Sequence, residues 1–385
     1  MATTTTTSVT TGTETALHRL QALGQSIWLD SISRDLIRSG ELQRLVEQGL
    51  LGMTSNPTIF EKAITGSADY DDLLRQSARA GMSPAEIFEA LAVRDIRDAA
   101  DVLRPVYERL DGVDGYVSLE VSPHLANDTE GTIADAERLW RAVERPNVMI
   151  KIPGTEAGLP AISATVAKGI NVNVTLLFDV DRYEQVANAY MEGLERFAAG
   201  GAGVRDGGRP LGRVASVASF FVSRVDTLVD GLLEQRPGGA ALQGLAAVDN
   251  AKLAYERFES LFGGSRFAPL RAQGARVQRV LWASTSTKNP AYPDLKYVDP
   301  LIGPHTVNTL PAPTLEAVLD HVTAGRTINE GLDEAKQHLA ALAGAGIDLK
   351  AVATQLEVDG VGLFAKSYDA LLEAIEKKAR EVAPA

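Results

Sequence analysis

Eight short apolar runs, separated by longer amphipathic stretches, restrict the fold of this chain more than any other feature of the sequence. The runs lie at 26–30, 52–55, 115–121, 148–152, 170–178, 213–220, 277–283 and 305–310, and their length and richness in Val, Ile and Leu read as strands. Helical periodicity fills the gaps, at 34–48, 84–110, 133–143, 160–167, 180–199, 221–235, 242–262 and 314–324. Such alternation is the rhythm of βα units around a parallel sheet. Eight units close into a (β/α)8 TIM barrel, a fold of about 250 residues that stretches past about 400 with insertions. The 385 residues therefore fit one α/β catalytic domain over 15–385, with additional C-terminal helices at 332–343 and 368–382. A Gly-rich stretch near 200–212 reads as a loop insertion, because the rhythm resumes directly after it. The Thr-rich start, 1–14, lacks the basic flank and apolar stretch of a signal peptide and reads as a disordered tail.

Charge and composition exclude several functions. A formal charge of −12 repels phosphate backbones and anionic lipids, so neither nucleic acid nor a membrane is expected as partner. An anionic substrate would then need a few local cations. With no cysteine there is no disulfide, thiolate zinc site or cysteine nucleophile. The five histidines are scattered, with no i,i+3 or i,i+4 pair, and neither metal nor cofactor is expected. No apolar run approaches the ~20 residues of a membrane span. The expectation is a cytoplasmic protein, its oligomeric state open.

Polar residues late in the strands carry the chemistry, because side chains alternate along a barrel strand and reactions occur at the C-terminal face. In the fourth run, Ile150 and Ile152 share one face, leaving Met149 and Lys151 on the other, and Pro153 ends the strand. Apolar surroundings disfavour the charged ammonium and leave a nucleophilic amine, the requirement for a Schiff-base lysine. A salt-bridged or snorkelling lysine fits the same pattern. Glu120 lies on the polar face of the third run with Ser118 and Ser122, either as a proton shuttle or as the partner of a buried cation. Asp30 ends the first run, where an Asp also serves as helix N-cap. Asn171, Asn173 and Thr175 alternate with Val172, Val174 and Leu176. Two asparagines run against strand propensity and suggest amides facing a polar cavity, with internal hydrogen bonding as the alternative. Asn56, after the second run, is a donor and acceptor within an ordinary Ser-Asn-Pro turn. Together, an amine, carboxyls, amides and a hydroxyl at successive strand ends make a carbonyl-processing site.

The ordered segments SIWLD (26–30), TSNPT (54–58), VSLEV (117–121), MIKIP (149–153), NVTLL (173–177), SFFVSR (219–224) and WASTSTKNP (282–290) resemble the transaldolase family. This is a class I, Schiff-base-forming aldolase family, and the Trp-Ala-Ser-Thr-x-x-Lys-Asn-Pro motif is similar to that of its longer bacterial form. The resemblance runs from about Leu20 nearly to the C-terminus. It implies Lys151 as the Schiff-base lysine, Asp30 as the acid/base at the breaking carbon–carbon bond, and Glu120 and Thr175 positioning a proton-shuttling water. It further implies Asn56, Asn173 and Ser219 on the dihydroxyacetone hydroxyls, and Arg224, Ser284 and Lys288 on the substrate phosphate. The sequence departs from the family pattern in two places. Ser286 stands where Gly is common in the WAST motif, and His305 stands where Asp is usual, at the far end of a strand.

The implied reaction transfers a dihydroxyacetone unit between ketose and aldose phosphates in the non-oxidative pentose phosphate pathway. The alternatives are a fructose-6-phosphate aldolase that releases free dihydroxyacetone, a non-catalytic sugar-phosphate-binding barrel, and a metal-dependent aldolase, against which the lack of clustered His argues.

Overall fold

The computed structural model describes residues 14–200 and 210–382. The tail read at 1–14 lies outside the described residues apart from Glu14, and of the insertion read near 200–212 residues 201–209 lie outside them. The eight strands are β1 (Gln25–Asp30), β2 (Gly52–Thr54), β3 (Tyr116–Glu120), β4 (Val148–Pro153), β5 (Val172–Leu177), β6 (Ser216–Phe221), β7 (Arg279–Ala283) and β8 (Thr306–Leu310). They pair in chain order, every pair parallel, and β8 closes on β1, giving a (β/α)8 barrel without a sheet edge. Each strand falls within a run legible in the sequence or one residue from it; β6 starts later than 213 because Leu211–Arg213 forms a 3-10 turn.

The helices depart further from the expected spans. The stretch read as one helix over 34–48 is two, Arg34–Arg38 and Glu41–Glu47, divided at Gly40, whose φ of 83° no helix accommodates. Helices at Ala16–Ala22, Pro57–Gly66 and Asp71–Arg79 had no counterpart in the sequence reading. The last helix runs from Leu349 to Val382 rather than from 368, because Gly360 and Gly362 interrupt the apolar pattern without breaking the backbone. No single described helix is long and apolar enough to cross a membrane; the bent pair Leu332–Gly344 and Leu349–Val382 meets the length and composition test only together.

The lower half of the barrel holds a buried polar cluster. Trp28 Nε1 donates to Asp114 at 2.7 Å, and Arg279 Nη1 donates to Asp114 at 2.9 Å and to Ser26 at 2.7 Å. The Trp28 ring crosses to β2, where a Cβ at Gly52 would stand 2.5 Å from it. A fixed ion pair and a large ring thus floor the interior, and the polar groups of the opposite end stand above that floor.

Candidate active site

At the C-terminal ends of the strands the barrel opens into a cavity of about 330 Å³. Neighbouring parallel strands in register point equivalent residues to the same side. The pairings Glu120 with Lys151 and Lys151 with Asn173 set a carboxyl, an amine and an amide side by side across β3, β4 and β5. Ile150 and Ile152 are fully buried on the other face of β4.

Lys151 is 5% exposed and lines the cavity. Its Nζ donates to the Ser55 carbonyl at 3.3 Å and stands 3.5 Å from Glu120 Oε2, and the Phe364 ring centroid lies 5.3 Å away. Neither polar contact is short, so little hydrogen-bond strength holds the amine away from an electrophile in the cavity.

Burial pushes the Glu120 carboxyl up to about 7, against the opposing pull of the Lys151 charge. Both its oxygens are buried without a hydrogen-bond partner among the described residues, as is the Thr175 hydroxyl. Burial likewise raises Asp30, opposed by Lys151, by a hydrogen bond from Thr54 and by Lys288. Asp30 does not cap the following helix: Ser33 takes that role by accepting from Leu36 N at 3.1 Å. Instead Asp30 accepts from the Thr54 hydroxyl at 2.7 Å, and Thr54 lies 2.7 Å from Thr309 Oγ1 on β8. Two carboxyls that burial makes easier to protonate flank one amine, a proton-transfer arrangement.

The amides divide in role. Asn171 is spent on backbone, donating to Pro146 O and Val148 O and accepting from Ala215 N, so the internal alternative applies to it. Asn173 donates to Ser118 Oγ at 3.0 Å and accepts from Ser219 Oγ at 2.7 Å. Asn56 caps the helix Pro57–Gly66 through Oδ1, which accepts from Ile59 N at 3.0 Å, leaving its amide N–H groups on the cavity wall. Just past Thr175, Leu176 adopts φ 63° and the β5–β6 register shifts between Val174 and Leu177. Bulges of this kind re-aim side chains beside functional sites.

Cations gather at the β6–β7 side. Arg224, in the first turn of the helix Ser223–Leu233, stacks 5.1 Å from the Phe221 ring centroid. Burial lowers its pKa and no acidic neighbour opposes the shift. Lys288 donates to Ser286 Oγ at 2.7 Å, so the serine that replaces the customary glycine orients this amine. Burial and Arg224 lower the Lys288 pKa, opposed by Asp30. Ser284 lines the same cavity at φ 54°, its hydroxyl 3.0 Å from that of Ser223. The two cations, Arg224 and Lys288, line one cavity and neither is in an ion pair among the described residues, an arrangement suited to an anion. Among the described residues, no group of three or more His, Asp or Glu is arranged to hold a metal ion.

Of the ten residues to which the resemblance gives site roles, all but Glu120 and Asn173 line the cavity, and these two touch its lining residues Lys151 and Ser219. Sequence reasoning missed Thr54, Thr309, Lys62 and Phe221. Thr54 had a signal, since it precedes Ser55-Asn56 on a strand end, whereas for the segment 357–364 the sequence left open whether it closes over the site or whether Val361 and Phe364 are simply core. The helix Leu349–Val382 crosses the mouth: Phe364 enters the cavity, Ser367 accepts from Thr58 at 3.0 Å, and a Cβ at Gly360 would lie 2.9 Å from Leu176. The segment around 357–364 therefore lies over the site. His305 precedes β8 at the opposite end of the barrel.

The family model described as Transaldolase/Fructose-6-phosphate aldolase matches residues 27–375. The chain is 52% identical over 365 residues to a transaldolase of Acidothermus cellulolyticus, covering 94% of this chain and 96% of that protein. It is 51% identical over 366 residues to a transaldolase of Parafrankia sp., covering 94% and 97%. It is 45% identical over 381 residues to a transaldolase of Trichodesmium erythraeum, covering 96% and 98%.

Proposed function

We propose, from the premise that this chain belongs to the transaldolase/fructose-6-phosphate aldolase family, a residue-level mechanism for a transaldolase activity. The chain is an enzyme of dihydroxyacetone transfer in the non-oxidative pentose phosphate pathway. Donors are sedoheptulose 7-phosphate and fructose 6-phosphate; acceptors are glyceraldehyde 3-phosphate and erythrose 4-phosphate. We take 15–385 as its single catalytic domain, working in the cytoplasm.

The observation that carries the mechanism is a cavity lined by the Lys151 amine, the Asp30 carboxyl and the cations Arg224 and Lys288, with Glu120 3.5 Å from that amine. Arg224, Lys288 and Ser284 hold the phosphate, while Asn56, Asn173 and Ser219 hold the hydroxyls of the three-carbon end. The Lys151 amine attacks the C2 carbonyl. Glu120, protonated near neutrality and sharing a water with Thr175, delivers the proton with which the C2 oxygen leaves as water, and the iminium forms. Asp30 as carboxylate takes the C4 hydroxyl proton. The C3–C4 bond breaks, its electron pair flows into the iminium, and the aldose phosphate departs, leaving an enamine on Lys151. When an acceptor aldose phosphate enters, C3 of the enamine attacks its carbonyl carbon, Asp30 returns the proton, and hydrolysis of the new imine releases the product.

Transfer rather than simple cleavage requires the enamine to outlast the first product. Phe364 over the amine limits the access of water and favours transfer. Incubation with fructose 6-phosphate followed by borohydride reduction should place a dihydroxyacetone-derived adduct on Lys151 alone. An unmodified Lys151 peptide overturns the mechanism. Turnover should depend on erythrose 4-phosphate; steady release of dihydroxyacetone without it would assign the aldolase reaction instead.

A further inference from the structure

The end of the barrel opposite Lys151 carries a second cavity that the transfer reaction does not use. Its volume is about 270 Å³, not far below that of the catalytic cavity, and it lies where β4, β6 and β7 begin. Its apolar wall includes Met149, Val277 and Phe267; its polar wall is Arg271, Arg276, Arg279 and His305. Met149 is two residues before Lys151 on the same inward face of β4, and the two cavities share no lining residue.

Simple packing defects are apolar and dry. This one is lined by guanidinium groups with unspent donors. Arg279, 8% exposed, commits Nη1 to Asp114 and Ser26, but its Nη2 is buried without a partner among the described residues. Arg276 likewise gives Nη2 to Asp111 while its Nη1 is buried and unpartnered. Buried guanidinium N–H groups are seldom left unsatisfied, because each one forfeits strong hydration. Arg271 donates to the Phe262 carbonyl and forms no ion pair among the described residues. His305 faces the same space, its pKa lowered by burial, Arg279 and Arg271, so near neutrality it presents an uncharged ring. The three lining guanidinium groups meet two carboxylates, Asp111 paired with Arg276 and Asp114 paired with Arg279. An excess of one positive charge is thereby concentrated in a chain whose net charge is −12.

We infer that this chamber is a binding site for a small organic anion, a carboxylate or phosphate group on an apolar body. The anionic head accepts from Arg276 Nη1 and Arg279 Nη2, and the body rests on Met149, Val277 and Phe267. The apolar wall distinguishes this site from the catalytic one, where amides and hydroxyls meet a polyhydroxylated chain. Inorganic phosphate alone would leave that wall uncovered and bind more weakly than an anion carrying an apolar group.

Calorimetric titration of the full chain with benzoate, hexanoate, phenyl phosphate and inorganic phosphate tests the site, with saturating fructose 6-phosphate present to occupy the catalytic cavity. At least one organic anion should bind one-to-one with a Kd of about 1 mM or tighter. Arg276→Gln should weaken it about tenfold, and Ala275→Leu, which fills the chamber, should abolish it. Neither variant should change the KM for fructose 6-phosphate. Should Ala275→Leu fail to fold, Arg276→Gln and the comparison of organic with inorganic anions still decide. Absence of any binding tighter than about 1 mM overturns the inference. So does binding that both variants retain, or binding that fructose 6-phosphate displaces, which would locate the anion at Arg224 and Lys288. Borohydride trapping at Lys151 does not depend on this chamber, so failure here leaves the mechanism standing.

Discussion

In the proposed mechanism Glu120 owes its role chiefly to burial. Its carboxyl, pushed up to about 7, exchanges protons at the pH where an imine is formed and broken, which an ordinary glutamate does not. Glu120→Gln should lower kcat by about a hundredfold and remove the limb near pH 7 from the kcat profile. The same shift acts on stability. The folded value lies above the unfolded one, so between about 4.5 and 7 the native state binds the extra proton, and stability contributed at low pH is lost as pH rises through that window. Urea unfolding should therefore show Glu120→Gln gaining on the wild type between pH 5 and pH 8; parallel profiles would refute the assignment. Asp30, held by Thr54, takes a different step in the proposed mechanism. Asp30→Asn should cut kcat by about a hundredfold to ten-thousandfold while borohydride still traps an adduct of the intact donor, because imine formation precedes its proton transfer.

At the scale of elements, the helix Leu349–Val382 turns an open barrel mouth into a covered one. It is tied down by Ser367 to Thr58, by Asp369 to His124 at 2.7 Å and by Glu357 to Arg182 at 3.4 Å. Phe364→Ala should keep adduct formation and raise the release of free dihydroxyacetone in the absence of acceptor, measured as a shift in product ratio. An unchanged ratio would show that Phe364 does not exclude water. This element was only partly legible in the sequence. The apolar pattern is clear from Tyr368 onward, but Gly360 and Gly362 lower helix propensity and hide the first half. The Gly360 position is explained by its surroundings: a Cβ there would press on Leu176, the residue at the bulge of β5.

For the whole molecule, the two ends of the barrel do different work. The lower interior rests on the Asp114–Arg279 pair, both groups nearly fully buried. Removing one partner strands the other charge, so Asp114→Ala should destabilise the fold by about 3–5 kcal/mol in urea titrations. The folded fraction should still form the Lys151 adduct, since the catalytic groups lie at the other end. Loss of trapping from folded protein would show that the ends are coupled. The sequence by itself determined the eight-unit rhythm, the strand positions and the inward face of Lys151, because strand alternation and apolar spacing are local properties. It also marked Glu120, Asp30 and Asn173 as out of place among strand residues. Only the tertiary structure decided which of their alternatives applies: that Ser33 rather than Asp30 caps the helix, that Asn171 serves the backbone while Asn173 joins Ser118 and Ser219, and that Arg224 has no acidic neighbour among the described residues. The cover over Lys151 and the arginine-lined chamber below it belong to the same class. Each is assembled from groups far apart in the chain, and burial and pairing at such distances follow from closure of the barrel, which no local pattern encodes.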